Sequence, residues 1–327
     1  MDEFDRFGFR RREKGDDILQ NKNDVPTSVT RRREKKWMNM LEPRAWDTAM
    51  KKRRTQVKRR CRKGIPQSLR GLAWQHLSGS HILMNQSSGQ YETLLTTEDT
   101  DIVVNVIDKD VFRTFPEHQL FTEEHGQQDL RNVLKAYSVY DSQTGYCQAM
   151  GPIAATLLMH MPAEQAFWCL VRICHKYMNN YFGPQLEAVQ LDACIFDGLL
   201  SKLFPKIRKH LATYNVHSLF YMTEWFMCIY VRTLPWPLVL RVLDIFFCEG
   251  IKVLFQVGLV LLNMAFGTVE KRSRYTSLQS ITDRLKELPH ELDHEGFIQE
   301  VLALKLNKDD LVREHMLQLS QKATSSK

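Results

Sequence analysis

Apolar residues recur along this chain at helical spacing. Leu130, Val133, Leu134 and Tyr137 stand at i, i+3, i+4 and i+7, as on one face of an amphipathic helix. Asp101 to Phe112 predicts a second helix, with Ile102, Val103, Val106 and Ile107 as its buried stripe. Pro162 stands where a helix from Ala163 to about Tyr177 would start, carrying Phe167, Trp168, Val171 and Cys174. Residues 186 to 204 repeat the pattern with Leu191, Ile195, Leu199 and Leu203. Ser218 to Leu234 is apolar almost all round, which predicts one buried helix. Pro235-Trp236-Pro237 stops it and starts another through Phe247, with Gly250 as the expected C-cap. Strand-like alternation is scarce, no hairpin dipeptide lies between alternating runs, and no repeat of 20 to 50 residues is visible. The expected fold class is all-α.

Length adds a choice. The 327 residues can bury a substantial core as one large domain or as two halves. A 43% hydrophobic and 10% aromatic content, with 15 glycines and 11 prolines, predicts a globular interior that loops do not dominate.

Charge changes the picture locally. The formal net charge is +7, but residues 31 to 63 hold 15 Lys and Arg against Glu34, Glu42 and Asp47, a local +12. The remainder therefore sums to −5, so basicity belongs to one segment and is weak support for nucleic-acid binding. Gly64-Ile65-Pro66 ends that segment and is expected to open the folded region. Seven cysteines with no C-x-x-C pair argue for a reducing compartment and against a disulfide or zinc framework. The longest apolar runs, 218–231 and 253–266, are shorter than the ~20 residues of a membrane span. With no signal peptide visible at the charged N-terminus, the expectation is a cytoplasmic protein.

Two polar positions carry candidate chemistry. Ile107, Asp110 and Arg113 fall on one side of the 101–112 helix, and Asp110, three residues before Arg113, can pair with its guanidinium. Pro116 pushes Phe115 out of helical geometry, so the helix should end near Arg113. Gln148 follows the turn-prone Asp141-Ser142-Gln143-Thr144 and precedes the apolar segment Pro152 to Met159, so it should sit near a helix start. An arginine and a glutamine displayed this way are what a slow GTPase lacks: a cation for the γ-phosphate and an amide for the attacking water. The chain has no G-x-x-x-x-G-K-[ST] loop, so a nucleotide and its Mg²⁺ would belong to a partner, with no cofactor of its own. Spacing alone favours an ordinary surface ion pair for Arg113 and a loop-satisfying role for Gln148.

The combination Arg70-x-x-x-Trp74, Ile107-x-x-Asp110-x-x-Arg113 and Gly145-Tyr146-Cys147-Gln148 resembles the three signature motifs of TBC-domain proteins, GTPase-activating proteins for Rab GTPases. The resemblance runs from about Cys61 to about Gln318 and includes Lys63-Gly64-Ile65-Pro66, Trp225, Leu234-Pro235 and Asp244…Glu249-Gly250. Gly126 to Leu130, Met159 to Cys169 and Thr223 to Cys228 are most similar to the carabin-like subgroup. It implies a two-lobed helical domain and a GTP-form Rab as partner. It also implies Arg113 and Gln148 as catalytic fingers, Asp110 and Tyr146 as orienting residues, and Arg70, Trp74 and Ile107 as structural. The expected divisions are a flexible 1–30, a basic helical 31–63, an N-terminal subdomain 64–180 with both fingers, a C-terminal subdomain 181–320 and a tail 321–327.

Two positions depart from the family pattern. Ala149 replaces a glycine and is expected to open a helix without positive φ, and Leu243 replaces a tryptophan, a packing variation. A non-catalytic Rab-binding scaffold is the competing class. A third, zinc protease, rests on His290-Glu291-Leu292-Asp293-His294, an H-E-x-x-H whose acidic neighbours instead predict a partly solvated helix start, with no metal. Because Rabs are membrane-attached, residues 31–63 gain a second reading beside a solvated helix face: attraction to an anionic membrane surface.

Overall fold

The computed structural model describes residues 3–11, 27–97 and 101–325, and it is helical, with two isolated β-bridges among the described residues. The chain divides into two compact units, Met1–Pro184 and Gln185–Lys327.

The first unit holds α1 (Thr27–Leu41), α2 (Pro43–Lys52), α3 (Arg54–Arg62), α4 (Arg70–Ser78), α5 (Ser80–Gln86), α6 (Gln90–Thr96), α7 (Asp101–Arg113), α8 (Gln119–Thr122), α9 (Glu124–Tyr140), α10 (Met150–Leu158) and α11 (Ala163–Arg172). α9 is its centre: the stripe Leu130, Val133, Leu134 and Tyr137 is fully buried, and the helix packs against α7, α10 and α11. The helix expected over Ala163 to Tyr177 changes pitch at Ile173 and finishes as a π-turn, closed by the Met178 N–H donating to the Ile173 carbonyl at 2.9 Å.

Two expectations about the N-terminal region are corrected. Residues 3–11, expected to be flexible, form a bridged turn docked on the 115–119 connection, while residues 12–26 lie outside the described ones. The helical region also begins at Thr27, well before Gly64. α1 to α3 bury Trp37, Met40, Leu41, Trp46, Ala49, Val57 and Cys61, and the Trp46 ring meets His76 of α4 at 5.3 Å. The high charge of this segment obscured the few large apolar side chains that dock it; burying a Trp or Leu is worth roughly 1.5–3 kcal/mol, ample to seat a helix.

The second unit comprises α12 (Glu187–Leu203), α13 (Pro205–Thr213), α14 (Leu219–Met227), α15 (Trp236–Glu249), α16 (Lys252–Phe266), α17 (Val269–Arg274), α18 (Leu278–Glu287), α19 (His294–Ala303) and α20 (Lys308–Ser325). α16 is its core helix and packs against α14, α15 and α19. α15 ends at Gly250, as the sequence predicts. The single helix expected over Ser218 to Leu234 is not formed. α14 stops at Met227, and Ile229 and Tyr230 take φ values of 50° and 59°. All-round apolarity reported burial correctly but not continuity. The turn lets the buried Tyr230 hydroxyl donate to the Leu254 carbonyl at 2.9 Å, which a straight helix would not secure. The expected tail is likewise largely helical, since α20 runs to Ser325.

Candidate functional site

The site begins where α7 ends. Ile107 and Val111 anchor its last turns in the core, and Asp110 on the same side is buried with them. Ile102 and Val106, expected in that buried stripe, are instead 77% and 44% exposed. At 100° per residue they lie within about 20° of Arg113, so α7 carries an outward apolar line leading to the arginine. Periodicity identifies an apolar face but not which part of it the chain itself covers. Arg113 pairs with the Asp110 carboxylate, and the two side chains are 58% and 4% exposed. The Thr114 hydroxyl donates to the Asp110 carbonyl at 2.6 Å and closes the helix end. Phe115, before Pro116, has left the right-handed region for φ 47°, so the chain turns sharply just past Arg113.

The second half of the site is a turn. The Gly145 N–H donates to the Asp141 carbonyl at 2.8 Å, and Gly145 takes φ 63°, where a Cβ would be penalised. That reversal lets the Tyr146 hydroxyl donate to the second Asp110 carboxylate oxygen at 2.6 Å. Burial, and then the Asp110 carboxylate, push the Tyr146 pKa up, so the phenol keeps the proton it donates. Burial also pushes the Cys147 thiol up, favouring its protonated form. Gln148 follows, exposed, in the turn before α10, with the Met150 N–H donating to the Cys147 carbonyl at 2.9 Å. Ala149 takes φ −64° and ψ −18°, right-handed values that admit its Cβ, and α10 starts immediately after it. Thr114 also borders this helix start: a Cβ on Gly151 would lie 3.3 Å from Thr114 Oγ1.

Asp110 is therefore the hub. One buried carboxylate holds Arg113 through one oxygen and Tyr146, two residues before Gln148, through the other. This differs from a surface ion pair, because the acid cannot move to follow the guanidinium. Arg70, Trp74 and Ile107 take no part in the exposed site. Arg70 donates to the Ile65 carbonyl at 2.8 Å and to Gln67, and Trp74 is fully buried with its ring 4.9 Å from that of His160. His290 and His294 fall in different elements, a 3₁₀ turn and α19, so the H-E-x-x-H does not share one helix face. Its glutamate, Glu291, pairs with Arg284 at 2.7 Å, and Asp293 caps α19 through the Gly296 N–H.

A sequence profile of the Rab-GTPase-TBC domain matches residues 67–266, more than half of the chain. This chain belongs to the Rab-GTPase-TBC family. Among relatives, mouse TBC1 domain family member 10A is 48% identical over 299 residues, covering 90% of this chain and 59% of that protein. Mouse Carabin is 43% identical over 300 residues, covering 91% of this chain and 67% of its own. The chain thus spans somewhat under two thirds of the length of the first of these relatives. The crystal structure of the Chlamydomonas flagellar RabGAP TBC domain superposes with a TM-score of 0.75 at 23% identity, over 91% of this chain and 99% of that one. The all-α fold is that of a TBC domain. Within the TBC match lie Arg70, Trp74, Asp110, Arg113, Tyr146 and Gln148. Leu243, the departure in the second unit, is buried in α15 as a packing residue.

Proposed function

We propose that this TBC domain accelerates GTP hydrolysis by Rab-family GTPases, supplying Arg113 and Gln148 to a nucleotide that the partner brings. The observation that carries the reading is the buried Asp110 carboxylate shared by Arg113 and the Tyr146 hydroxyl. A permanently charged fork held at a helix end can enter a partner's active site and stabilise charge on the transferring γ-phosphoryl. Gln148, displayed at the start of α10, positions the attacking water. GTP and Mg²⁺ remain the partner's, and the outward Ile102 and Val106 offer it an apolar surface in line with Arg113. Such a protein regulates membrane traffic from the cytoplasmic side. The test is single-turnover phosphate release from a panel of GTP-loaded Rabs. At least one should be accelerated by the wild type, and Gln148→Ala should lower that rate about 10²-fold, the usual consequence of losing near-attack placement. Binding of GTP-loaded Rabs without any acceleration would support the scaffold class instead.

A second reading concerns α1 to α3, which turn Trp37, Met40, Trp46 and Val57 inward and leave most of their cations exposed. Arg32, together with partial desolvation, Arg60, Lys63 and Arg59, lowers the Lys36 pKa, the mark of a crowded positive surface. We infer that this surface attracts an anionic membrane, at about 1 kcal/mol per engaged basic residue. Co-sedimentation should rise when phosphatidylserine is added to phosphatidylcholine vesicles and fall with added salt. Sedimentation indifferent to lipid charge would remove this reading.

A further inference from the structure

Asp5-Arg6-Phe7-Gly8-Phe9 folds tightly on itself. The Asp5 carboxylate accepts the Phe7 and Phe9 N–H groups at 2.8 and 2.9 Å, and the Asp5 N–H donates to the Phe9 carbonyl at 2.8 Å. Gly8 sits at φ 90°, and a Cβ there would lie 2.7 Å from His118 Nε2, so both conformation and close approach require glycine. The turn docks on the connection that follows Arg113. The Arg10 N–H donates to the Glu117 carbonyl at 2.9 Å and the Gln119 N–H donates to the Gly8 carbonyl at 2.7 Å. His118 Nδ1 accepts the Leu120 N–H at 3.1 Å, which leaves the proton on Nε2 to donate to the Phe7 carbonyl at 2.9 Å. Phe9 sets its ring edge-on to Phe115 and His118, with centroids 5.8 and 4.9 Å away.

Phe115 is the strained member of that connection. An aromatic residue at φ 47° before a proline persists only if its surroundings over-determine it. Left alone, the segment would relax, and because it begins two residues after Arg113 the relaxation would loosen the last turn of α7. We propose that residues 3–11 are a positioning element for the Arg113 finger: they clamp the 115–119 connection and so hold the end of α7 in the geometry that presents the guanidinium. This rests on the reading of Arg113 as a finger. In this role residues 3–11 act through Phe115 and His118.

The test uses the full chain with Phe9→Ala, Phe9→Tyr and a deletion of residues 1–11, read by hydrogen exchange and by Rab GTP hydrolysis. Phe9→Ala and the deletion should speed exchange of the Gln119 amide and lower kcat about 10²-fold with KM within about twofold, since a displacement near 1 Å is enough for that loss. Thermal unfolding should move little, and Phe9→Tyr, which keeps the ring edge contacts, should restore both readouts. Unchanged exchange in the deletion overturns the clamp. Faster exchange with unchanged kcat overturns its positioning role, as does a rise in KM alone. If the wild type accelerates no Rab while Arg113→Ala behaves identically, the finger reading fails, and the exchange data alone then decide whether the clamp exists.

Discussion

Arg113→Ala is expected to remove about 10³–10⁵-fold of the acceleration of Rab GTP hydrolysis, or roughly 4–7 kcal/mol of barrier, the usual worth of an arginine finger. Its side chain is more than half exposed, but its removal leaves the buried Asp110 carboxylate without its cation, so some loss of stability is expected, and association with a GTP-loaded Rab should persist well below the unfolding midpoint. Arg113→Lys is the sharper variant. It keeps a cation beside the buried Asp110 carboxylate, hence the local electrostatics, but a point charge does not reproduce the planar fork. It should therefore fold like the wild type and still lose most of the acceleration. Single-turnover phosphate release, paired with equilibrium binding, separates the two effects. Wild-type rates in Arg113→Ala would sink the mechanism.

Trp74→Ala is expected to do the opposite: to destabilise the first unit by about 3–5 kcal/mol, the cost of emptying a large buried site. Trp74 is fully buried, and its ring lies edge-on to His160 at 4.9 Å. Close packing there leaves no route for collapse, since a Cβ on neighbouring Gly71 would already meet the His160 carbonyl at 2.1 Å. A unit of this size shifts by about 2–4 °C per kcal/mol, so calorimetry should show a drop of roughly 6–20 °C. Hydrolysis measured well below the lowered midpoint should approach the wild-type rate, because Trp74 is a buried packing residue against His160. A Trp74→Ala protein with unchanged stability and abolished activity would contradict this division of roles. Set beside Arg113→Ala, it distinguishes motif residues that build the domain from those that act on the partner.

The helical elements were legible because burial periodicity is local. The i, i+3, i+4 pattern of Leu130 to Tyr137 needs no knowledge of neighbours to mark a face, and α9 buries that face completely. The end of α7 at Arg113 was legible for a similar reason, since Pro116 restricts only the residue before it. Three errors share the opposite cause. Ile102 and Val106 belong to the apolar side of α7 but stay exposed among the described residues, and coverage is a property of the assembly. The break after Met227 answers to the Leu254 carbonyl, 24 residues beyond Tyr230. The basic helices α1 to α3 read as a solvated segment because their charges outnumber the few aromatic and aliphatic side chains that dock them.

By itself the sequence determined the all-α class, the helix-ending proline after Arg113, the turn before Gln148 and the family motifs, because each depends on residues a few positions apart. The tertiary structure alone decided that Asp110 is buried and divided between Arg113 and Tyr146, 36 positions further along the chain. It alone joined residues 3–11 to the connection at Phe115, more than a hundred residues away. Such contacts follow from how helices close around a common core, and local pattern carries no record of which distant backbone will supply the partner.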